Sequence, residues 1–328
     1  MKYYYKGIIV NILITGVAGF IGSHLADRLI INNKVIGIDN FCDYYQPQIK
    51  ERNLEQLKAN PNFMLYRIDI RDNALLGKCF SENKIDLVIH LAAMAGVRPS
   101  ISDPLLYTEV NIVGTINVLE MCKKFNIKKL IFASSSSVYG NNEKVPFAED
   151  DFVDYPISPY AFTKKAGELI CHSYHHLYQI SIACLRFFTV YGPRQRPDLA
   201  IYRFTEKIIN NETITLFGDG TSKRDYTYIT DIIDGIVQSI EYVRSGCKYE
   251  IFNLGESTTI SLVELVRTLE DEIGNKALTE QFPMQPGDVN QTYADITKSN
   301  KILGYYPSAD FKTGIQFFVE WYKKTHNT

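Results

Sequence analysis

The sequence predicts an α/β protein built on a doubly wound parallel (Rossmann) sheet. Three observations support this: a glycine-rich turn joins the first strand to the first helix, later strands alternate with helical stretches, and the strands end in small, polar or acidic residues. The 328 residues are enough for one large or two modest domains with a real core. With 45% apolar and 22% charged residues, the composition is typical of a soluble globular protein.

The first element is a short apolar strand, residues 11–15, that stops at a glycine-rich turn. Gly16, Gly19 and Gly22 follow with the spacing G-x-x-G-x-x-G, and residues 23–29 have helical periodicity. Glycines let the backbone turn tightly and approach a pyrophosphate, whose negative charge is favoured at a helix N-terminus. The turn therefore predicts a dinucleotide-binding site.

The second strand indicates which dinucleotide is bound. Residues 34–39 end in Asp39, about twenty residues beyond the glycines, where the 2′-hydroxyl of a ribose is expected. An acid at this place accepts hydrogen bonds from the ribose diol and repels a 2′-phosphate. We therefore expect NAD rather than NADP.

Further strands are predicted at 63–68, 86–91, 129–133 and 184–188, separated by helical stretches. Ligands of doubly wound sheets bind beyond the carboxyl ends of the strands. Candidate ligand-binding residues at these ends are Asp69, Ala92, Ala93, Ser134, Ser135 and Thr189.

Charge and composition limit the possible partners and location. A net charge of −2 and a pI near 6.3 give no reason to expect nucleic acid or an anionic membrane surface. No apolar run reaches the ~18 residues of a membrane span, and the N-terminus lacks the apolar segment of a signal peptide. The six cysteines are scattered along the chain and no two of them form a Cys-x-x-Cys motif, which suggests a reducing compartment. We expect a cytoplasmic protein.

Tyr160 and Lys164 are the strongest catalytic candidates. They lie four residues apart on a predicted helix, so both side chains share one face. A tyrosine pKa is normally near ~10, and a positive charge a few ångströms away in a desolvated pocket lowers it. Such a pair is a proton shuttle suited to alcohol–ketone interconversion, although Tyr-x-x-x-Lys also occurs on ordinary helix surfaces.

The chain as a whole resembles the extended short-chain dehydrogenase/reductases that act on nucleotide sugars. The matching segments include TGVAGFIGSHL, GIDN, HLAAMAGVRPS, SSSSVYG, SPYAFTKKAGE, LRFFTVYGPRQRPDLA and QPGDV, spread over residues 11–295. The resemblance implies tightly held NAD and a Rossmann domain of residues 1–188 plus about 228–255. It also implies a smaller C-terminal α/β domain, about 189–227 and 256–328, that binds the nucleotide sugar.

The resemblance also implies roles for individual residues. Those expected to contact NAD are Gly16, Gly19, Phe20, Ile21, Gly22, Asp39, Asn40, Asp69, Ile70, Leu91, Ala92, Ala93, Asn111, Ser134, Tyr160, Lys164 and Phe187. Those expected to contact the UDP-sugar are Arg98, Ser135, Ser136, Thr189, Arg194, Leu216, Phe217, Arg224 and Asp288.

The residues before Val138 indicate the reaction. Family members that eliminate water have Asp-Glu in the two positions where this chain has Ser136 and Ser137, and a serine hydroxyl is a poor general acid. Oxidation at C4, rotation of the ketone and reduction from the other face remain, which is epimerisation. In this scheme Tyr160 takes the C4 hydroxyl proton, and Ser135, or else Ser137, shares it.

Thr189 indicates the substrate. UDP-glucose/galactose epimerases resemble one another in having Asn at the position of Thr189. The segment RFFTVYGP followed by RPDLA is instead similar to the corresponding segment of UDP-glucuronate 4-epimerases. Thr189 and the serines at 135–137 would then donate hydrogen bonds to the sugar carboxylate. The hypothesis is UDP-glucuronate ⇌ UDP-galacturonate; alternatives are another UDP-sugar 4-epimerase and a non-catalytic NAD-binding sensor.

Other signals predict less. His172 and His176 have i,i+4 spacing, but no third ligand is evident and we expect no metal. Apolar residues on the helices containing Leu119 and Leu169 resemble those of the family's dimer interface, so we expect a homodimer, although an ordinary core would explain them as well. The first six residues are expected to be a loose tail or additional edge structure.

Overall fold

A computed structural model describes residues 10–283 and 291–326 of the chain. The strands in these ranges are β1 (Asn11–Thr15), β2 (Lys34–Asp39), β3 (Phe63–Arg67), β4 (Leu87–His90), β5 (Lys129–Ser135), β6 (Ser181–Phe187), β7 (Thr189–Tyr191), β8 (Thr213–Phe217), β9 (Lys223–Arg224), β10 (Tyr226–Tyr228), β11 (Tyr249–Leu254), β12 (Ile260–Ser261) and β13 (Leu278–Phe282). The N-terminal extension, for which a tail or edge structure was predicted, lies outside the described residues.

The helices are α1 (Phe20–Leu29), α2 (Pro47–Asn53), α3 (Glu55–Lys58), α4 (Asn73–Glu82), α5 (Val97–Ser102), α6 (Pro104–Thr108), α7 (Gly114–Lys124), α8 (Pro159–Tyr178), α9 (Ala200–Ile209), α10 (Ile229–Arg244), α11 (Leu262–Ile273), α12 (Thr297–Leu303) and α13 (Phe311–His326). A π-helical turn, Glu109–Val113, joins α6 to α7, and a 3-10 turn, Ser136–Tyr139, follows β5.

Seven strands form the central sheet in the order β11-β6-β5-β4-β1-β2-β3, and all neighbouring pairs are parallel. The predicted doubly wound sheet is confirmed. β1 and β2 have the predicted bounds, whereas β6 begins at Ser181, three residues before the predicted run. Strand order reverses at β1, which has β2 on one side and β4 on the other. A crevice is expected beyond the carboxyl ends of β1 and β4.

The core has a layer on each face of this sheet. Ile12 and Ile14 of β1 belong to one layer, and Leu13 between them belongs to the other. Alternate side chains of a strand point to opposite faces, so a strand covered by helices on both sides is apolar throughout. This explains the continuous apolar runs in the sequence.

Helix α8 begins where the sequence places its signals. Ser158 Oγ accepts a hydrogen bond from Ala161 N at 3.1 Å, and Pro159 takes the first helical position, where its missing N–H costs nothing. The helix packs closely on β5 at Gly167, where an added Cβ would lie 2.3 Å from Cζ of Phe132. α8 therefore holds Tyr160 and Lys164 next to the carboxyl end of β5.

Short strand pairs and helices form a smaller α/β region beside the central sheet. β7 pairs with β10 and β8 with β13 in parallel, while β9 pairs antiparallel with β12. Helices α9 and α13 pack against α11. Among the described helices, none is both long enough and apolar enough to cross a membrane.

Candidate active site

The turn between β1 and α1 requires glycine at two positions. Gly16 has φ +74°, and an added Cβ there would lie 2.8 Å from the backbone nitrogen of Ala92. At Gly22 an added Cβ would lie 2.2 Å from the carbonyl oxygen of Gly16. Gly19 is less constrained, because the atom nearest to its added Cβ is Gly16 O at 3.3 Å. The space beside Gly19 suits a phosphate that approaches the N-terminus of α1.

A cavity of about 720 Å³ opens beyond the carboxyl ends of the central strands. Its walls include nearly all residues predicted to contact the cofactor: Gly16, Gly19, Phe20, Ile21, Gly22, Asp39, Asn40, Asp69, Ile70, Leu91, Ala92, Ala93, Ser134, Tyr160, Lys164 and Phe187. The predicted sugar-binding residues Ser135, Ser136, Ser137 and Thr189 line the same cavity.

Asp39 closes the β2 side of this cavity and is almost fully buried. One carboxylate oxygen accepts a hydrogen bond from Ala18 N at 3.0 Å, and the other accepts one from Phe41 N at 2.8 Å. Burial raises its pKa, which these two bonds and Lys50 counteract. Asp69, at the end of β3, is ion-paired with Arg71, whose hydrogen bonds lower the pKa of Asp69 to about 2.

Asn111 is a predicted cofactor residue that the structure places behind the cavity wall. Its side chain accepts from Met94 N at 2.8 Å and donates to Met94 O at 2.9 Å. Its amide also donates to Thr163 Oγ1 on α8 at 3.0 Å. Asn111 therefore ties Met94, a cavity residue, to the helix that contains Tyr160.

Lys164 is buried below Tyr160. Its ammonium donates a hydrogen bond of 2.7 Å to Ala133 O on β5 and lies 5.9 Å from the centroid of the Tyr160 ring. Burial lowers the pKa of Lys164 to about 8, against the opposing charge of Glu168. Glu168, one helical turn further along α8, forms a fully buried ion pair with Arg186 and accepts a hydrogen bond from Ser134 at 2.6 Å.

The environment of Tyr160 differs from the sequence-based expectation. Burial raises its pKa, while a hydrogen bond with Ser135 and the charge of Arg196 lower it. The ammonium of Lys164, the expected cause of a lowered Tyr160 pKa, donates its hydrogen bond to Ala133 O and lies 5.9 Å from the centroid of the Tyr160 ring. Ser135 Oγ also donates a hydrogen bond of 3.1 Å to Ser137 Oγ, so the two candidate proton-sharing hydroxyls are in contact.

Arg196 lines the cavity, and the sequence analysis did not single it out. Its guanidinium donates two hydrogen bonds of 2.9 Å to Asp198 and lies 5.5 Å from the ring centroid of Tyr44. Arg194, predicted to contact substrate, is instead paired with Asp27 on α1 at 2.7 Å and is absent from the cavity wall. Both arginines occur in YGPRQRP. Arg194 has a left-handed backbone, φ +64°, and the sequence gives no signal of which of the two arginines faces the cavity.

A second cavity, of about 330 Å³, adjoins the first and shares Val97 and Leu199 with it. Four basic residues line it: Arg98, Arg203, Lys207 and Arg224. The guanidinium of Arg98 lies 4.5 Å from the centroid of the Phe217 ring, also in this wall. An aromatic face among four cations suits a nucleoside diphosphate.

Besides Arg194, one described residue that was predicted to contact the sugar nucleotide, Leu216, is not in these walls. Leu216 is the neighbour of Phe217 on β8 and points to the opposite face, where it packs against the core. Asp288 lies outside the described residues. Arg203 and Lys207, on α9, were missed because single basic residues on a helix usually face solvent.

Comparisons with known proteins agree with this geometry. The sequence profile of the GDP-mannose 4,6-dehydratase family matches residues 13–318. A UDP-glucuronate 4-epimerase of Thermodesulfobacterium geofontis is 45% identical over 314 residues, covering 95% of this chain and 96% of the relative.

Two solved structures share the fold along nearly their whole length. UDP-glucuronic acid 4-epimerase of Bacillus cereus, in complex with UDP-glucuronic acid and NAD, has a TM-score of 0.91 at 39% identity, covering 96% of this chain and 100% of that one. UDP-glucose 4-epimerase of Thermotoga maritima, with UDP-glucose, has a TM-score of 0.88 at 34% identity, covering 97% and 100%. The chain therefore belongs to the GDP-mannose 4,6-dehydratase-like family of extended short-chain dehydrogenase/reductases.

Proposed function

We propose that the protein is an NAD-dependent isomerase that interconverts UDP-glucuronate and UDP-galacturonate by epimerisation at C4. The observation that carries the proposal is the set of groups around Tyr160: hydroxyls of Ser135, Ser136, Ser137 and Thr189, and the guanidinium of Arg196. The relatives from T. geofontis and B. cereus bear the name of this activity.

Carboxyl groups lie elsewhere in the described part of this cavity. They belong to Asp39, which ends β2, and to Asp43 and Asp69, which follow β2 and β3. Ser135 ends β5, three strands away from β2. Elimination of water from a 4-keto sugar needs a proton donor beside the ring, and a serine hydroxyl is a poor one. The site therefore favours epimerisation over the dehydration after which the family is named.

Tyr160 is the proposed acid and base at the C4 oxygen. Its phenolate would take the hydroxyl proton and later return it, with Ser135 sharing that proton through its hydrogen bond to the phenol. Arg196 stabilises the phenolate by its charge, and Lys164 keeps a second positive charge below the ring. NAD, when bound, supplies the acceptor for the hydride from C4 and returns it to the other face.

The cavity walls fit NAD in two respects. The uncrowded side of Gly19 leaves room for the pyrophosphate at the start of α1. Asp39 is placed to accept a hydrogen bond from a ribose hydroxyl. The B. cereus relative is solved with NAD. We assign the cofactor role to the residues that line this part of the cavity, with Asn111 supporting the wall through Met94.

The uronate carboxylate creates a problem that glucose does not. After oxidation at C4 the sugar is a β-keto acid, which loses CO2 when the carboxylate bond aligns with the carbonyl π-system. We assign Ser136, Ser137, Thr189 and Arg196 to holding the carboxylate out of that alignment. Charge-assisted hydrogen bonds are short and directional, which suits this task. The UDP moiety would occupy the second cavity, with its diphosphate among Arg98, Arg203, Lys207 and Arg224.

The test is incubation of the purified enzyme with UDP-glucuronate, UDP-glucose and UDP-N-acetylglucosamine, with products identified by NMR. UDP-galacturonate should form fastest. Equal or faster turnover of UDP-glucose would instead favour the activity of the T. maritima relative. Bound NAD without turnover of any UDP-sugar would indicate a sensor.

We further propose that the protein is a cytoplasmic homodimer. Its NAD-binding part would be residues 1–188 plus about 228–255, and its substrate-binding part about 189–227 and 256–328. Support for a dimer comes from α8, which exposes Leu169 and Leu177 at 58% and 64%. Large apolar side chains on one exposed helix suit an interface. Sedimentation or light scattering of the wild type and of Leu169→Asp would test the dimer.

A further inference from the structure

The segment from Gly192 to Asp198 brings Arg196 into the cavity, and two side chains of α1 hold this segment. His24 Nε2 lies 2.8 Å from the carbonyl oxygen of Pro193, and Asp27 accepts a hydrogen bond from Arg194 at 2.7 Å. His24 and Asp27 are three residues apart and therefore share one face of the helix. We refer to His24, Asp27, Pro193 and Arg194 together as the α1 clamp.

The backbone of this segment needs such support. Gly192 has φ +138° and Arg194 has φ +64°, a conformation that an L-residue other than glycine adopts only when its surroundings impose it. A hydrogen bond of 3.1 Å from Gln195 N to Gly192 O closes the turn. This conformation turns Arg194 outward to Asp27 and leaves Arg196, two residues later, facing the cavity.

The other end of the same helix belongs to the cofactor site. α1 begins at Phe20, and Phe20, Ile21 and Gly22 line the cavity next to the glycine turn. His24 and Asp27 lie one and two turns further along. A ten-residue helix is rigid over this distance, so a shift of α1 would affect both halves of the site.

We propose that the α1 clamp positions Arg196, and that it couples occupancy of the cofactor site to the arrangement of the substrate site. This rests on the proposed function, in which Arg196 acts on the sugar. Arg194 is then a positioning residue rather than a substrate contact. Because coupling between two sites is reciprocal, loss of the clamp should weaken substrate binding when NAD is bound and, by the same factor, NAD binding when substrate is bound.

The first experiment measures kcat, KM for UDP-glucuronate and NAD content for Arg194→Gln. We expect KM to rise about fivefold or more, kcat to change less, and less NAD to be retained after gel filtration in buffer that contains UDP-glucuronate. Asp27→Asn removes the same ion pair from the helix side and should give the same pattern, which provides a second variant if Arg194→Gln folds poorly. Arg28→Gln is the matched control, because it breaks an exposed pair between α1 and Asp234 that does not involve the segment.

The second experiment asks whether the clamp acts through Arg196. In an Arg196→Gln background, Arg194→Gln should raise KM no further, since the group that it positions is gone. An equal multiplicative increase in both backgrounds would overturn the proposal, as would unchanged KM and NAD retention in Arg194→Gln.

The third experiment does not depend on the identity of the substrate. Amide hydrogen exchange in residues 192–199 of the NAD-bound enzyme should be faster in Arg194→Gln than in wild type or Arg28→Gln. Equal exchange in all three would refute the clamp. If exchange is faster in Arg194→Gln but the wild-type enzyme does not convert UDP-glucuronate, the clamp is supported and only the substrate assignment is refuted.

Discussion

The two halves of the main cavity are built differently. The cofactor half consists mostly of the glycine turn and of residues at the carboxyl ends of the central strands, such as the turn at 16–22 and Asp39 at the end of β2. The sugar half combines side chains from four separate places: Ser135 ends β5, Tyr160 lies on α8, Thr189 begins β7, and Arg196 lies in a loop. The first half has a local sequence signal, the glycine turn followed by an acid at the end of the next strand, whereas the residues of the second half have no shared sequence signal. Substitutions in the two halves should therefore impair different properties of the enzyme.

The largest effect is expected at the sugar half. Tyr160→Phe removes the proton shuttle and should lower kcat about 10²–10⁴-fold, the range for loss of a general acid or base. NAD content should stay at the wild-type level, because the ring that lines the cavity remains. NMR assay of UDP-glucuronate turnover and NAD released on denaturation measure both. A variant that keeps more than a tenth of the activity would remove Tyr160 from its proposed role.

A substitution in the cofactor half should instead reduce the amount of bound NAD. Gly22→Ala places a Cβ 2.2 Å from Gly16 O, and overpacking of this kind costs about 1–3 kcal/mol, or roughly 5–150-fold in affinity when it acts on a binding site. We expect loss of bound NAD. Gly77→Ala on α4 is the matched control, because its Cβ would meet only Met121 Sδ at 3.9 Å. Full NAD content in Gly22→Ala would contradict the assigned role of the turn.

A smaller effect should appear in product identity. Thr189→Val keeps the shape of the side chain but removes its hydroxyl, and a hydrogen bond to a charged group is worth about 1.5–3 kcal/mol. Release of the decarboxylated 4-keto pentose should rise about tenfold or more. Thr189→Ser, which keeps the hydroxyl, should release little. Equal yields of this product from both variants would show that the hydroxyl does not restrain the carboxylate.

The smallest expected effect is a fall in kcat as the pH is raised. Burial lowers the pKa of Lys164 to about 8, so the lysine is charged below that pH and loses its charge as the pH rises through it. The positive charge below the Tyr160 ring is then lost, and kcat at saturating UDP-glucuronate should fall on the alkaline side. In Lys164→Arg the charge persists, and the fall near pH 8 should disappear even if the rate is lower. The same alkaline fall in both proteins would exclude Lys164 as its source.

The limits of prediction from sequence follow the same division. The strands, the glycine turn and the family could be predicted because apolar runs, glycines and motif blocks are local properties of the chain. Arg196 could not be distinguished from Arg194, since the choice depends on one left-handed residue and on Asp27, which is 167 residues away in the sequence. The effect of Arg196 in lowering the Tyr160 pKa was missed for the same reason, because the sequence does not show that Arg196 lies near Tyr160.

The two backbone hydrogen bonds of Asp39 have a consequence for engineering and evolution. One bond holds Ala18 in the glycine turn, and the other holds Phe41 after β2. A change of coenzyme preference toward a phosphorylated ribose would begin by replacing this acid, and the replacement would also release both backbone groups. A switch of coenzyme at this position therefore also requires acceptors for the N–H groups of Ala18 and Phe41.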